Sequence, residues 1–119
     1  MSNPVINEFG TLCWFNEQGQ HHREDGPAVI RKNGDQEWFM HGDHHREDGP
    51  AVECANGTKC WYQQGQRHRM DGPAVIWSSG NKEWWIRDVE YTDIHKYCEA
   101  VGITGSHKTL LLLKYSGRL

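Results

Sequence analysis

Along most of this chain the apolar residues come in short runs broken by turn signals. GPAVIRK (26–32) is followed by Asn33-Gly34 and then DQEWFM (35–40); GPAVECA (49–55) is followed by Asn56-Gly57 and then TKCWYQ (58–63). Asn-Gly between two strand-like runs predicts a β-hairpin, with both central residues at positive φ. The third stretch carries Ser79-Gly80, a weaker form of the same turn. Pro27, Pro50 and Pro73 lack a backbone donor and fit only a strand start or an edge. In the tail the period changes: Ile94, Tyr97, Cys98 and Val101 stand at i, i+3, i+4 and i+7, one face of a helix over about 92–101. Thr92 is the candidate N-cap, Asp93 suits the first turn and Gly102 the stop. For SHKTLLLLKYSGRL, the remainder, a short helix and a strand fit equally, and its four leucines require burial.

The runs belong to a longer period. His22–His44, His45–Arg67 and His68–Glu90 align without gaps, each 23 residues long. The octamer HREDGPAV occurs at 22–29 and 45–52 and returns as HRMDGPAV at 68–75. Beyond the octamer, one Gly (Gly34, Gly57, Gly80) and one Trp (Trp38, Trp61, Trp84) are common to all three units. A truncated unit, about 10–21, precedes them with Gly10 and Trp14 at the same spacing. One hairpin alone is barely stable in water, whereas stacked hairpins bury a shared face. The fold class predicted is mainly β: an elongated antiparallel meander of 23-residue hairpin repeats over 1–90, closed by a capping segment, 91–119, that carries the helix.

Composition narrows the function. Thirteen Lys and Arg against sixteen Asp and Glu give a formal charge of −3, too weak and mixed for a nucleic-acid groove. Eight His allow a weak response to acid. Six Trp against 36% apolar residues predict a thin aromatic core. The N-terminus has neither a basic nor an apolar leader region, and the longest apolar run, Leu110 to Leu113, is far short of a span. A cytoplasmic protein without a membrane role is expected, with Cys13, Cys54, Cys60 and Cys98 reduced. A Cys54–Cys60 bridge requires that the two thiols face each other, which a three-residue loop allows and a two-residue loop does not.

The pattern G-x3-W-[FY]-x2-G-x2-H-R-x-D-G-P-A, spanning about residues 10–90, resembles the MORN-related repeats of bacterial and bacteriophage proteins. That resemblance implies β-hairpin units and a scaffold that binds partners, and it implies no reaction. It also implies a phage accessory role, such as a counter-defence inhibitor acting in the host cytoplasm.

Two readings of the octamer compete. As a site, His22, Arg23, His45, Arg46, His68 and Arg69 form three basic loops that suit a nucleotide or another phosphorylated ligand. As a stack, Asp25, Asp48 and Asp71 fix turns by accepting backbone N–H groups, and Arg23, Arg46 and Arg69 pair with those carboxylates. Ala28, Ala51 and Ala74 then leave room for the repeated Trp. The stack accounts for more of the invariant letters. Adjacent His pairs in a strand point to opposite faces, so no metal or other cofactor is predicted. Neither a Gly-x-Ser-x-Gly elbow nor a Gly-x4-Gly-Lys loop is present, and no catalytic residue is assigned. Function is then expected where the units differ. Phe39, Tyr62 and Trp85, each following a repeated Trp, predict an aromatic ladder for a protein partner or stacked bases. Trp77, Trp85 and Ile86 make the third unit the most apolar, either to pack beneath the cap or to bind a partner. Exposed strand edges also invite a homodimer.

Overall fold

The computed structural model describes residues 3–116. Its strands are β1 (Val5–Ile6), β2 (Leu12–Cys13), β3 (Val29–Ile30), β4 (Gln36–Glu37), β5 (Phe39–Met40), β6 (Asp43–His44) and β7 (Val52–Glu53). They continue as β8 (Lys59–Cys60), β9 (Tyr62–Gln63), β10 (Gln66–Arg67), β11 (Val75–Ile76), β12 (Lys82–Ile86) and β13 (Val89–Tyr91). Two helices follow, α1 (Ile94–Val101) and α2 (Gly105–Ser116). Nine strands make one antiparallel meander in the order β1-β2-β3-β4-β7-β8-β11-β12-β13. Nine strands at about 4.8 Å spacing span about 40 Å, in keeping with overall dimensions of 49 × 27 × 20 Å. No described helix is long and apolar enough to cross a membrane.

Each unit holds two hairpins where the sequence pattern showed one. The inner hairpin (β3-β4, β7-β8, β11-β12) joins the long sheet, and the outer hairpins β5-β6 and β9-β10 are separate two-stranded ribbons. The chain passes from inner to outer hairpin through the Trp. There Trp38 and Trp61 donate their N–H to Ala51 O and Ala74 O at 2.7 Å, leaving the ladder of their own unit for the next. In the third unit β12 runs unbroken through Trp84, which pairs with Tyr91.

The turn chemistry differs from the Asn-Gly expectation. The inner loops contain three residues, because Arg31 N–H bonds to Asp35 O and Cys54 N–H to Thr58 O, both at 2.9 Å. Gly34, Gly57 and Gly80 have φ of 101°, 98° and 94°, while the preceding Asn33, Asn56 and Ser79 stay out of the left-handed region. A type I turn closed by a left-handed Gly needs positive φ at one residue only. Asn serves another purpose: Asn33 Oδ1 accepts Asp35 N–H at 3.0 Å and Asn56 Oδ1 accepts Thr58 N–H at 2.9 Å. Two-residue turns with both centres left-handed lie in the outer hairpins instead, at His41-Gly42, Gln64-Gly65 and Arg87-Asp88.

That loop also decides the cysteines. Cys54 stands opposite Thr58 and Cys60 opposite Val52, so the two thiols are diagonal neighbours and all four cysteines are free. The condition set for a bridge was misplaced by one residue: the loop does hold three, but they are Ala55, Asn56 and Gly57.

In the tail, Asp93 rather than Thr92 caps α1, accepting His95 N–H at 2.8 Å, and Gly102 ends it at φ 77°. The segment left open between helix and strand is α2. Its four leucines are not all buried: Leu111 is, while Leu110 and Leu113 are 64% and 47% exposed. Consecutive residues fan around a helix by about 100° each, so one face cannot hold four. Trp84, Tyr97, Cys98, Ile103 and Leu111 form the main hydrophobic cluster, with Ile86 and Tyr115 at its edge. Along the array the core is thinner, with Ala28, Ala51 and Ala74 fully buried in the sheet.

Candidate functional site

The octamer loops close around an arginine. Arg23, Arg46 and Arg69 each place the guanidinium carbon 3.9 Å from the ring centre of Trp14, Trp38 and Trp61, the Trp of the preceding unit. Nε of each donates at 3.0 Å to Asp25, Asp48 or Asp71 in the same loop. NH1 of each donates to the carbonyl of Pro27, Pro50 or Pro73 at 3.0–3.1 Å. The planar fork is thus spent on one carboxylate, one carbonyl and one indole face. Asp25, Asp48 and Asp71 take the side-chain Nε–H rather than the backbone N–H groups expected of them. The Arg side chain also fills the space beside Gly26, Gly49 and Gly72, where an added Cβ would meet Cζ at 2.8–3.0 Å.

Histidine ties the start of each unit to the outer turn of the same unit. Nδ1 of His22, His45 and His68 accepts the backbone N–H of His41, Gln64 and Arg87 at 3.0 Å. An accepting Nδ1 carries no proton, so Nε2 is the donor. It donates to Glu24 at 3.4 Å and to Glu47 at 3.2 Å in the first two units; Met70 holds that position in the third. Burial, with the nearby Arg87 charge, pushes the His68 pKa down and keeps the ring neutral. At the inner turns successive units are joined: Asp35 Oδ1 accepts Ala55 N–H at 2.7 Å and Thr58 Oγ1 accepts Ser78 N–H at 3.1 Å.

The aromatic ladder exists, with rungs that the sequence reading missed. Phe15, His21, Phe39, His44 and Tyr62 follow one another at ring-centre distances of 4.8, 5.0, 4.2 and 4.9 Å. Arg67, paired with Tyr62 in the outer hairpin, continues the row and lies 3.9 Å over Trp85. The residue after each Trp pairs across the outer turn with the residue before each His-Arg, which brings His21, His44 and Arg67 into the gaps of the row Phe15, Phe39, Tyr62 and Trp85. Seeing this requires the two-residue turn at Gly42 and Gly65; the doubled His was the signal for it. Successive rings contact one another directly, two pairs stacked and two tilted, so no base fits between them.

Two carboxylates brace this face. Glu37 accepts from His44 Nε2 at 2.9 Å and Arg31 at 2.7 Å, and these bonds, the His44 one foremost, hold its pKa down to about 2. Glu83, at the equivalent place in the third unit, accepts from Trp77 Nε1 at 2.7 Å and Trp85 Nε1 at 2.9 Å. In the second unit Cys54 and Cys60 occupy the two equivalent positions, and burial pushes the Cys60 thiol up to about 11. A thiol so raised is a poor nucleophile at neutral pH.

Of the residues proposed for partner binding, Phe39, Tyr62, Trp85 and Ile86 are half-buried and Trp77 is 45% exposed. Trp77 and Trp85 meet at Glu83; Ile86 packs under the cap instead. All six residues of the alternative ligand set take part in hydrogen bonds within the chain. Between the second and third octamer loops lies an open groove of about 900 Å³, lined by Arg46, Glu47, Gln64, His68, Met70 and Arg87 among others. Comparison with protein-family models, curated protein sequences and solved structures returns no match.

Proposed function

We propose that this chain is a non-catalytic repeat scaffold that binds another protein. One observation carries this reading: the invariant His and Arg of the octamers bond within the chain, while the residues that follow the octamer and the repeated Trp change from unit to unit. Arg46 serves Trp38, Asp48, Pro50 and Glu53 at once, with its Nε, its NH1 and one face of the guanidinium engaged within the chain. By contrast Trp77 exposes its ring beside Trp85, in a place held by Arg31 and Cys54 in the earlier units. Exposed aromatic residues that a partner can desolvate are typical of interface hot spots. A phosphorylated small ligand is less favoured, since its six candidate residues already hold partners within the chain. A reducing, cytoplasmic setting agrees with four free thiols. A counter-defence role in a phage-infected host rests on the repeat resemblance alone.

The test is affinity capture from the natural host's lysate, paired with urea unfolding of the same variants. A stoichiometric protein retained by the wild type and lost by Trp77→Ala, with an unchanged unfolding midpoint, is the expected result. Capture of no protein, or of one indifferent to every substitution at Phe39, Tyr62, Trp77 and Trp85, contradicts the reading.

A further inference from the structure

The third octamer breaks the pattern of the other two at positions that meet in space. In the first two units the His Nε2–H has a carboxylate acceptor two residues along its own loop, Glu24 or Glu47. The third unit has Met70 there, 51% exposed. The ring of His68 is nevertheless fixed as in its counterparts, because Nδ1 accepts Arg87 N–H at the same 3.0 Å. Its Nε2–H is therefore a donor, and among the described residues it has no acceptor. The second departure is Arg87 itself, where the earlier units have His41 and Gln64. Among the described residues no carboxylate pairs with its guanidinium.

Both groups line the groove between the second and third loops, together with Met70. Its other charges are accounted for. Arg46 is held by Asp48 and Glu53, Arg69 by Asp71, and Glu47 receives His45 Nε2–H. Arg87 is the cation left over.

We propose that this groove takes a carboxylate from an acidic segment of the partner protein, received between His68 Nε2–H and the Arg87 guanidinium. The carboxylate fills in trans the place that Glu24 and Glu47 fill in cis. An Arg fork with a neutral ring donor suits one planar carboxylate. Among the described groove residues Arg87 is the one cation without a carboxylate, which matches one negative charge rather than the two of a phosphate. The methyl end of Met70 offers apolar contact to the methylenes of an incoming Glu. This inference rests on the scaffold reading and adds the chemistry of what the scaffold recognises.

The probe is an N-acetylated, amidated tetraglutamate peptide, with the tetraglutamine peptide and inorganic phosphate as controls at constant ionic strength. Side-chain ¹H–¹⁵N spectra report each His ring separately. Saturable movement of the His68 signals by tetraglutamate is expected, with His22 and His45 unmoved. Met70→Glu supplies the carboxylate in cis and is expected to abolish that movement; Arg87→Gln is expected to weaken it about tenfold, or about 1.4 kcal/mol. Unshifted His22 and His45 signals show that each variant keeps its fold. An equal response to tetraglutamine, a stronger one to phosphate, no saturation, or undiminished binding by Met70→Glu overturns the assignment. The two proposals separate in the capture experiment. A partner retained equally by Arg87→Gln and Met70→Glu sinks the carboxylate site and leaves the scaffold standing. A wild type that retains no protein counts against the scaffold, whatever the peptide does.

Discussion

Trp61 and Trp84 hold the same place in successive units and are covered by different chemistry. Over Trp61 lies the Arg69 guanidinium, 3.9 Å from the ring centre and tied to Asp71 and Pro73. Over Trp84 there is no further octamer; Tyr97 and Tyr115 pack edge-on against it at 4.7 and 5.5 Å. Tyr97 Oη bonds Arg69 O at 2.6 Å and lies 3.0 Å from Gly72 O, while accepting Gly72 N–H at 3.2 Å. Burial pushes its pKa up to about 12, so it stays a donor. An interior unit covers its neighbour with a charged side chain that needs the next loop to hold it. The terminal unit has no next loop, and a buried phenol does both tasks: its ring covers the indole and its hydroxyl satisfies the exposed loop backbone.

The largest effect that would break this comparison is loss of the phenol. Tyr97→Ala is expected to cost about 3–5 kcal/mol in urea unfolding, the range for emptying a buried aromatic site. Tyr97→Phe keeps the ring and forfeits the hydroxyl bonds, so about 1–3 kcal/mol is expected. If the two variants are equally unstable, the ring is not what covers Trp84. Next comes Arg46→Ala, which removes the stack on Trp38 and leaves Asp48 and Glu53 unpaired; about 1–2 kcal/mol is expected. Arg46→Lys should recover little of it, because an ammonium cannot lie flat on an indole while bonding both Asp48 and Pro50.

Smaller effects sharpen the same picture. Gly57 has open space around it but a φ of 98°, so Gly57→Ala should cost about 1 kcal/mol from backbone strain alone. Acid should act in two windows. The lowered His68 pKa means that the folded state binds its proton later than the unfolded chain, so stability is full above about pH 6.5 and falls as pH drops below it. Glu37, with its pKa lowered from 4.5 to about 2, contributes stability above pH 4.5 that is lost on descent toward pH 2. Thermal midpoints across pH should therefore show Glu37→Gln converging with the wild type only in the lower window, and His68→Gln flattening only the upper one.

The array was legible because it is written three times over. Its period, the hairpin at each Gly, the Arg–Asp pairing and the Trp–Gly rhythm all follow from invariant letters. What stayed hidden depended on register. A one-residue offset in where the three-residue loop begins put Cys54 opposite Thr58, and the unseen outer turn put His44 between Phe39 and Tyr62. Side-chain partners that cross from unit to unit, such as Asp35 Oδ1 to Ala55 N–H, have no local pattern at all. In α2 the run of four leucines has no period, and the cluster with Trp84, Tyr97, Cys98 and Ile103 takes up Leu111.

The central claim is that the octamer's Arg is a structural clasp on the preceding Trp. A double-mutant cycle between Arg46→Ala and Trp38→Leu, read by urea unfolding, tests it most directly. A coupling of about 1 kcal/mol or more is predicted, because either substitution removes the same contact. Additivity within about 0.3 kcal/mol would contradict it and return Arg46 to the candidates for an external ligand.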